Sequence, residues 1–110
     1  MKKINSELLK GSTEMMILKL LASGDLYGYE LVKKLAAISQ GLFCMGQGSL
    51  YPILHFLEEE EYIVSYWEDT VSKRKRKYYR LTQKGKGLLE EKIREWNLFV
   101  GGVNRVLEEN

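Results

Sequence analysis

The sequence holds one cysteine, one proline and one histidine in 110 residues. A lone Cys44 excludes an internal disulfide and fits a reducing compartment; its simplest reading is a small buried apolar residue. With His55 alone there is no His cluster, no CxxC and no HExxH, so a zinc site lacks ligands and no nucleophile arrangement can be assembled. Gly46-Gln47-Gly48-Ser49 is only a fragment of a glycine-rich loop, with neither a Walker lysine nor a third glycine in place. No apolar run approaches the ~20 residues needed to cross a bilayer. Asn5, Ser6, Glu7 and Lys10 interrupt the basic start where a signal core would have to lie. These absences predict a soluble, cytoplasmic, non-enzymatic protein with no membrane contact, no metal and no cofactor.

What is present is ordinary globular composition, 45% apolar and 29% charged, at the length of one compact unit. The net charge is only +2, so placement matters more than the total. Residues 71–82 carry Lys73, Arg74, Lys75, Arg76, Lys77 and Arg80, six of the 17 cations, and no acid, while residues 58–61 are four glutamates. Consecutive carboxylates on a helix point in different directions, so the glutamates read as a solvated helix end. Five adjacent cations alone are equally compatible with a solvated tail, and their meaning depends on what flanks them.

Residues 6–22 are apolar on more than one face around Met15 to Leu21, which requires a helix covered on more than one side. Ser23-Gly24-Asp25 is a stop. A second helix over 27–39 has Leu31, Leu35 and Ile38 at helical spacing. A third over 49–60 is predicted to start with Ser49 as its cap and Pro52 in the first turn. Leu50, Leu54 and Leu57 line its inner face, leaving Tyr51, His55 and Glu58 on other faces, available for outward contacts. Residues 62–67 and 77–81 are rich in β-branched and aromatic side chains or alternate, so they form a hairpin with the cations at its tip and second arm. Residues 82–109 are helical again.

The fold class is therefore mainly α with a small β hairpin: a winged helix-turn-helix over 1–81 and a long C-terminal dimerisation helix over 82–110, together one compact unit. In such a fold one helix enters the major groove of double-stranded DNA and the hairpin lies against the backbone. The basic run then neutralises phosphates and releases counterions. On this reading Ser49, Tyr51 and His55 face DNA from the third helix, Tyr29 from the second, and Lys73, Arg74, Lys75, Arg76 and Lys77 grip phosphates. A winged helix used only as a protein-interaction module is the alternative.

Three ordered blocks carry a family resemblance: Leu26-Tyr27-Gly28-Tyr29-Glu30-Leu31; Gly48-Ser49-Leu50-Tyr51-Pro52-Ile53-Leu54-His55-Phe56-Leu57-Glu58; and Lys77-Tyr78-Tyr79-Arg80-Leu81-Thr82-Gln83-Lys84-Gly85. The chain resembles the PadR family of transcriptional regulators, in its small subfamily with a single C-terminal helix. The resemblance implies a winged-helix homodimer, generally a repressor, which in some members releases DNA on binding small aromatic compounds or drugs. The chain departs from the family with Phe56 where Arg is frequent, Glu61 where Gly is frequent, and Ser72-Lys73-Arg74 where the wing tip contains Gly.

The last helix gives an independent reason to expect a homodimer. Leu89, Ile93, Trp96, Val100, Val103 and Leu107 follow a coiled-coil seam. At 1.5 Å per residue the helix is ~40 Å long, more than a small core covers. Gly101-Gly102 costs about 2 kcal/mol relative to alanine inside it. Trp96 with Leu8 and Phe99 is a candidate slot for a small aromatic ligand, as the family resemblance suggests, and a symmetric dimer predicts a pseudo-palindromic operator.

Overall fold

The computed structural model describes residues 11–109. Its elements are α1 (Thr13–Ala22), β1 (Leu26–Tyr27), α2 (Gly28–Ile38), α3 (Gln47–Glu59), β2 (Ile63–Asp69), β3 (Lys75–Leu81) and α4 (Gln83–Leu107). The start of the expected first helix, Leu8 included, lies outside the described residues. The three strands form an antiparallel sheet in the order β1-β3-β2.

Ile17, Leu18 and Leu21 of α1, Leu31 of α2, and Leu50, Leu54 and Leu57 of α3 meet Ile63, Tyr79, Leu81 and Leu89 in one core. The four- and three-residue spacing on α3 thus does what helical geometry requires. Helix α2 starts one residue after the sequence expectation. Its entry is fixed by Tyr27, whose N–H donates to Glu30 Oε1 at 3.1 Å, satisfying one of the donors a helix start leaves open. Ile38, expected on the buried face, is 70% exposed, because the core ends a turn earlier at Leu35. Cys44 is exposed too, its thiol directed at the Gly41 carbonyl, and is not a core residue.

Helix α3 corrects the expected start. Gly46, not Ser49, is the N-cap, in extended conformation, and Ser49 is the third helical residue. Pro52 consequently lies inside the helix rather than in its first turn. It has no N–H to give the carbonyl four residues back, and that residue is Gly48.

The hairpin is longer than the apolar pattern indicates. Its strands run out to Asp69 and back from Lys75, so the turn is confined to residues 70–74. Thr70 closes it, its N–H and hydroxyl both donating to the Arg74 carbonyl at 3.0 and 2.6 Å. Two of the departures from the family pattern fall on left-handed backbone: Glu61 has φ +64° and Lys73 φ +65°. Glycine takes this conformation without a Cβ clash, so both side chains here bear a strain that glycine would avoid.

Thr82 caps α4 by accepting from the Gly85 N–H at 3.0 Å. A Cβ on Gly85 would stand 2.1 Å from the Tyr62 carbonyl oxygen, so only glycine lets the helix start against the end of the α3–β2 connection. Helix α4 continues through Gly101 and Gly102 without a break. Its first half is packed, with Leu89 buried, and its second half leaves the core behind. The molecule is accordingly elongated, 61 × 34 × 21 Å.

Candidate nucleic-acid interface

Helices α2 and α3 form the helix-turn-helix, with the inner leucines of α3 dictating which side chains face outward. Ser49 is exposed on the first turn of α3, and Tyr51 and His55 follow on the outer face, Tyr51 at 45% exposure. The Tyr51 ring lies over the start of α2, where a Cβ on Gly28 would come within 2.8 Å of its hydroxyl. Tyr51 is thus a packing residue along one edge and a surface residue along the other. His55 Nε2 lies 2.8 Å from Glu59 Oε1, one turn on, with both side chains largely exposed.

Between α3 and β3 runs an open groove of ≈ 590 Å³ lined by Gly48, Tyr51, Pro52, His55, Glu58, Lys77 and Tyr79. Glu58 organises its floor: it accepts a short hydrogen bond from the Ser65 hydroxyl and lies 3.6 Å from Lys77 Nζ. Burial, reinforced by the charge of Glu58, pushes the Tyr79 phenol up to about 12. At neutral pH it is therefore a neutral hydroxyl.

The five consecutive cations are not equivalent. Lys73 and Arg74 belong to the turn, and Lys75, Arg76 and Lys77 to β3. Strand geometry sends Arg76 to the opposite face from Lys75 and Lys77. Arg76 stacks on the Tyr27 ring at 4.5 Å, and Lys77 reaches back to Glu58. Lys73, Arg74 and Lys75 are exposed and have no ion-pair partner among the described residues. The register also sets Asp69 opposite Lys75 and Glu68 opposite Arg76, acids that the cation-only reading of residues 71–82 left out.

A clasp fixes the base of the wing. Tyr66 donates its hydroxyl to Asp25 Oδ2 at 2.6 Å, and Arg80 donates Nε to the same oxygen at 3.0 Å, with its Nη2 at 2.9 Å. The Tyr66 hydrogen bond, with Arg80 adding to it, holds the Asp25 carboxyl below the ordinary carboxylate range. On this outer face Tyr66 and Tyr78 stack at 5.8 Å and Tyr27 meets Tyr78 edge-on at 5.4 Å. Neither Asp25 nor the tyrosine layer was legible from spacing, since 41 residues separate Asp25 from Tyr66.

Tyr29 is half exposed on the first turn of α2, and Lys33, absent from the sequence expectation, holds its ammonium 5.4 Å from the ring centre. Apart from Leu8, outside the described residues, the remaining expected residues lie on α4, away from this surface. Leu89 is buried within its own chain and Ile93 is partly so; the exposed stripe begins at Trp96 and includes Phe99, Val103, Val106 and Leu107, with Val100 half-buried. Trp96 and Phe99 are ring neighbours at 6.3 Å. Trp96 also closes one side of an apolar hollow of ≈ 390 Å³ with Met15, Leu20, Leu35, Phe43 and Ile93. Among the described residues no group of His, Cys, Asp or Glu could hold a metal ion, and no helix is long and apolar enough to cross a membrane.

Comparison with known proteins agrees with this geometry. The model of the transcriptional regulator PadR-like family matches residues 17–91. An uncharacterised protein of Lysinibacillus sphaericus is 34% identical over 93 residues, 84% of this chain and 85% of that protein. The transcriptional regulator YqjI of Escherichia coli is 35% identical over 81 residues, which make up 74% of this chain but 37% of YqjI. The crystal structure of a PadR-like transcriptional regulator from Bacillus cereus superposes with a TM-score of 0.83 at 34% identity, covering 94% of this chain and 99% of that one. A PadR family regulator from Eggerthella lenta gives 0.83 at 37% identity, covering 96% and 89%. With the family model spanning residues 17–91 and the fold shared over most of the chain, this chain belongs to the PadR-like family of transcriptional regulators.

Proposed function

We propose that the protein is a homodimeric repressor that binds a pseudo-palindromic DNA operator and is released by a small aromatic or drug-like effector. The observation that carries the DNA-binding part is the shared surface. The outward residues of α3, Ser49, Tyr51 and His55, stand beside a wing whose Lys73, Arg74 and Lys75 are exposed and unpaired among the described residues. On this reading α3 lies in the major groove and the wing turn holds the flanking phosphates. Arg76 and Lys77 contribute less, being engaged with Tyr27 and Glu58. Tyr29 and Lys33 reach the backbone from α2.

The homodimer is favoured by the second half of α4, where Phe99 is 64%, Val106 74% and Leu107 75% exposed. A stripe of that kind at helical spacing matches a second copy of itself, as a coiled-coil seam does. Residues 1–81 then form the DNA-binding unit and 82–110 the dimerisation helix. Trp96 beside an apolar hollow gives an aromatic effector a surface to stack on.

Fluorescence anisotropy with promoter DNA from beside the gene, combined with sedimentation, tests this reading. The expected result is salt-sensitive binding by a dimer, reversed by a planar aromatic that quenches Trp96. Absence of binding to any duplex, with capture of an acidic protein instead, would make the wing a protein-interaction surface.

A further inference from the structure

Trp67 is 64% exposed on β2, a large apolar ring left mostly in water. It stands opposite Lys77, with Ser65 opposite Tyr79 before it and Asp69 opposite Lys75 after it. Opposed and alternate residues share one side of a hairpin, so Ser65, Trp67, Asp69, Lys75, Lys77 and Tyr79 stand on the same side. That side is turned towards α3, because Ser65 hydrogen-bonds Glu58 and Lys77 pairs with it. Trp67 is the next step outward, where the wing leaves the domain. It has neither a ring partner nor a hydrogen bond among the described residues. Its cross-strand neighbour does not cover it either, since the Lys77 ammonium lies over Tyr79 at 5.6 Å.

An indole held in water with Lys75 and Lys77 on its side of the hairpin, Asp69 beside them and Lys73 and Arg74 exposed in the turn beyond, suits an occupant that is anionic yet has apolar patches. A DNA duplex is such a surface, with phosphates flanking the carbon-rich deoxyribose rims of the minor groove. Base faces are stacked and out of reach. Trp67 stands on a strand and not at the wing tip, which suits an indole laid along the groove wall better than a wedge driven between bases. We propose that Trp67 is a DNA-contacting residue of the wing, packing on deoxyribose while Lys75 and its neighbours hold the adjoining phosphates. This rests on the DNA-binding reading above.

The test compares the parent, Trp67→Ala and Trp67→Phe on one duplex across a range of salt, with tryptophan emission followed as DNA is added. Trp67→Ala is expected to weaken binding to every duplex about tenfold, the order of effect that covering a large aromatic side chain supplies. Trp67→Phe falls between. The slope of log K against log salt stays at the parental value, because no phosphate contact is lost. The DNA-induced emission change of the parent disappears in Trp67→Phe, which retains only Trp96. Parental affinity in a folded Trp67→Ala, or an emission change that persists in Trp67→Phe, overturns the assignment. A reduced salt slope would also overturn it, by showing that the indole merely positions lysines. A parent that binds no duplex at all removes the DNA-binding reading beneath it, an outcome distinct from a parent that binds while Trp67 is silent.

Discussion

Helix α3 carries no lysine or arginine between Gln47 and Glu59, whereas the adjoining wing has five cations at residues 73–77. The two line one groove with opposite chemistry. The exposed face of α3 offers hydroxyls, an imidazole and the carboxylate of Glu59, groups that discriminate but do not attract a polyanion. The wing turn offers unpaired charge, which attracts any duplex and discriminates little. On the DNA-binding reading proposed above, affinity falls to the wing and sequence preference to the helix. Glu58 joins them, bonded to Ser65 and Lys77 across the groove.

The largest effect expected from breaking this division is on affinity. Replacing Lys73, Arg74, Lys75, Arg76 and Lys77 together by alanine should weaken binding to all duplexes, on the order of a hundredfold at low salt. Three of them have no ion-pair partner among the described residues, so the salt slope should flatten by about 3 per wing, at about 0.9 per lost phosphate contact. Anisotropy titrations at several salt concentrations measure both. An unchanged slope would mean the run does not touch DNA.

Smaller and different in kind are Tyr51→Ala and His55→Ala. Each should change the ranking of operator variants, by about 1–3 kcal/mol for a base it reads, with the salt slope preserved. Competition among duplexes differing at single positions shows it. Uniform weakening across all variants would return both residues to a positioning role, for which the contact of Tyr51 with the Gly28 backbone already gives a physical basis.

The contrast between helix and wing was only partly visible in the chain. Leu50, Leu54 and Leu57 announced the inner face of α3 because apolar spacing reports burial directly. Strand ends at Asp69 and Lys75 were not visible, since charged residues carry no apolar alternation and the ladder, not the side chains, extends them. For the same reason the facing of Glu68 and Asp69 towards the basic strand escaped notice. Ser49 read as a cap because of its hydroxyl, yet Gly46 with extended backbone starts the helix and moves Pro52 inward. The pairing of His55 with Glu59 follows from a four-residue helical spacing, but the sequence reading left the glutamates as a solvated helix end. Trp67 was not legible, since exposure on a strand depends on how far the partner helix reaches.

The smallest effect concerns how firmly the wing is held. Because the Tyr66 hydrogen bond and Arg80 lower the Asp25 carboxyl in the folded state, Asp25 stabilises above its unfolded value of about 3.9, and that contribution fades as pH falls through this range. The parent should therefore melt above Asp25→Asn at pH 6, with the gap closing below about pH 4. A gap independent of pH would show that the ionised carboxylate is not what clasps the wing.

The central claim, a symmetric dimer whose two α3 helices read one operator, is tested most directly by footprinting the bound promoter alongside the mass of the complex. Two protomers on one duplex are predicted, protecting two half-sites related by inversion and centred about one helical turn, or a multiple of it, apart. A single asymmetric footprint occupied by one chain would contradict the account.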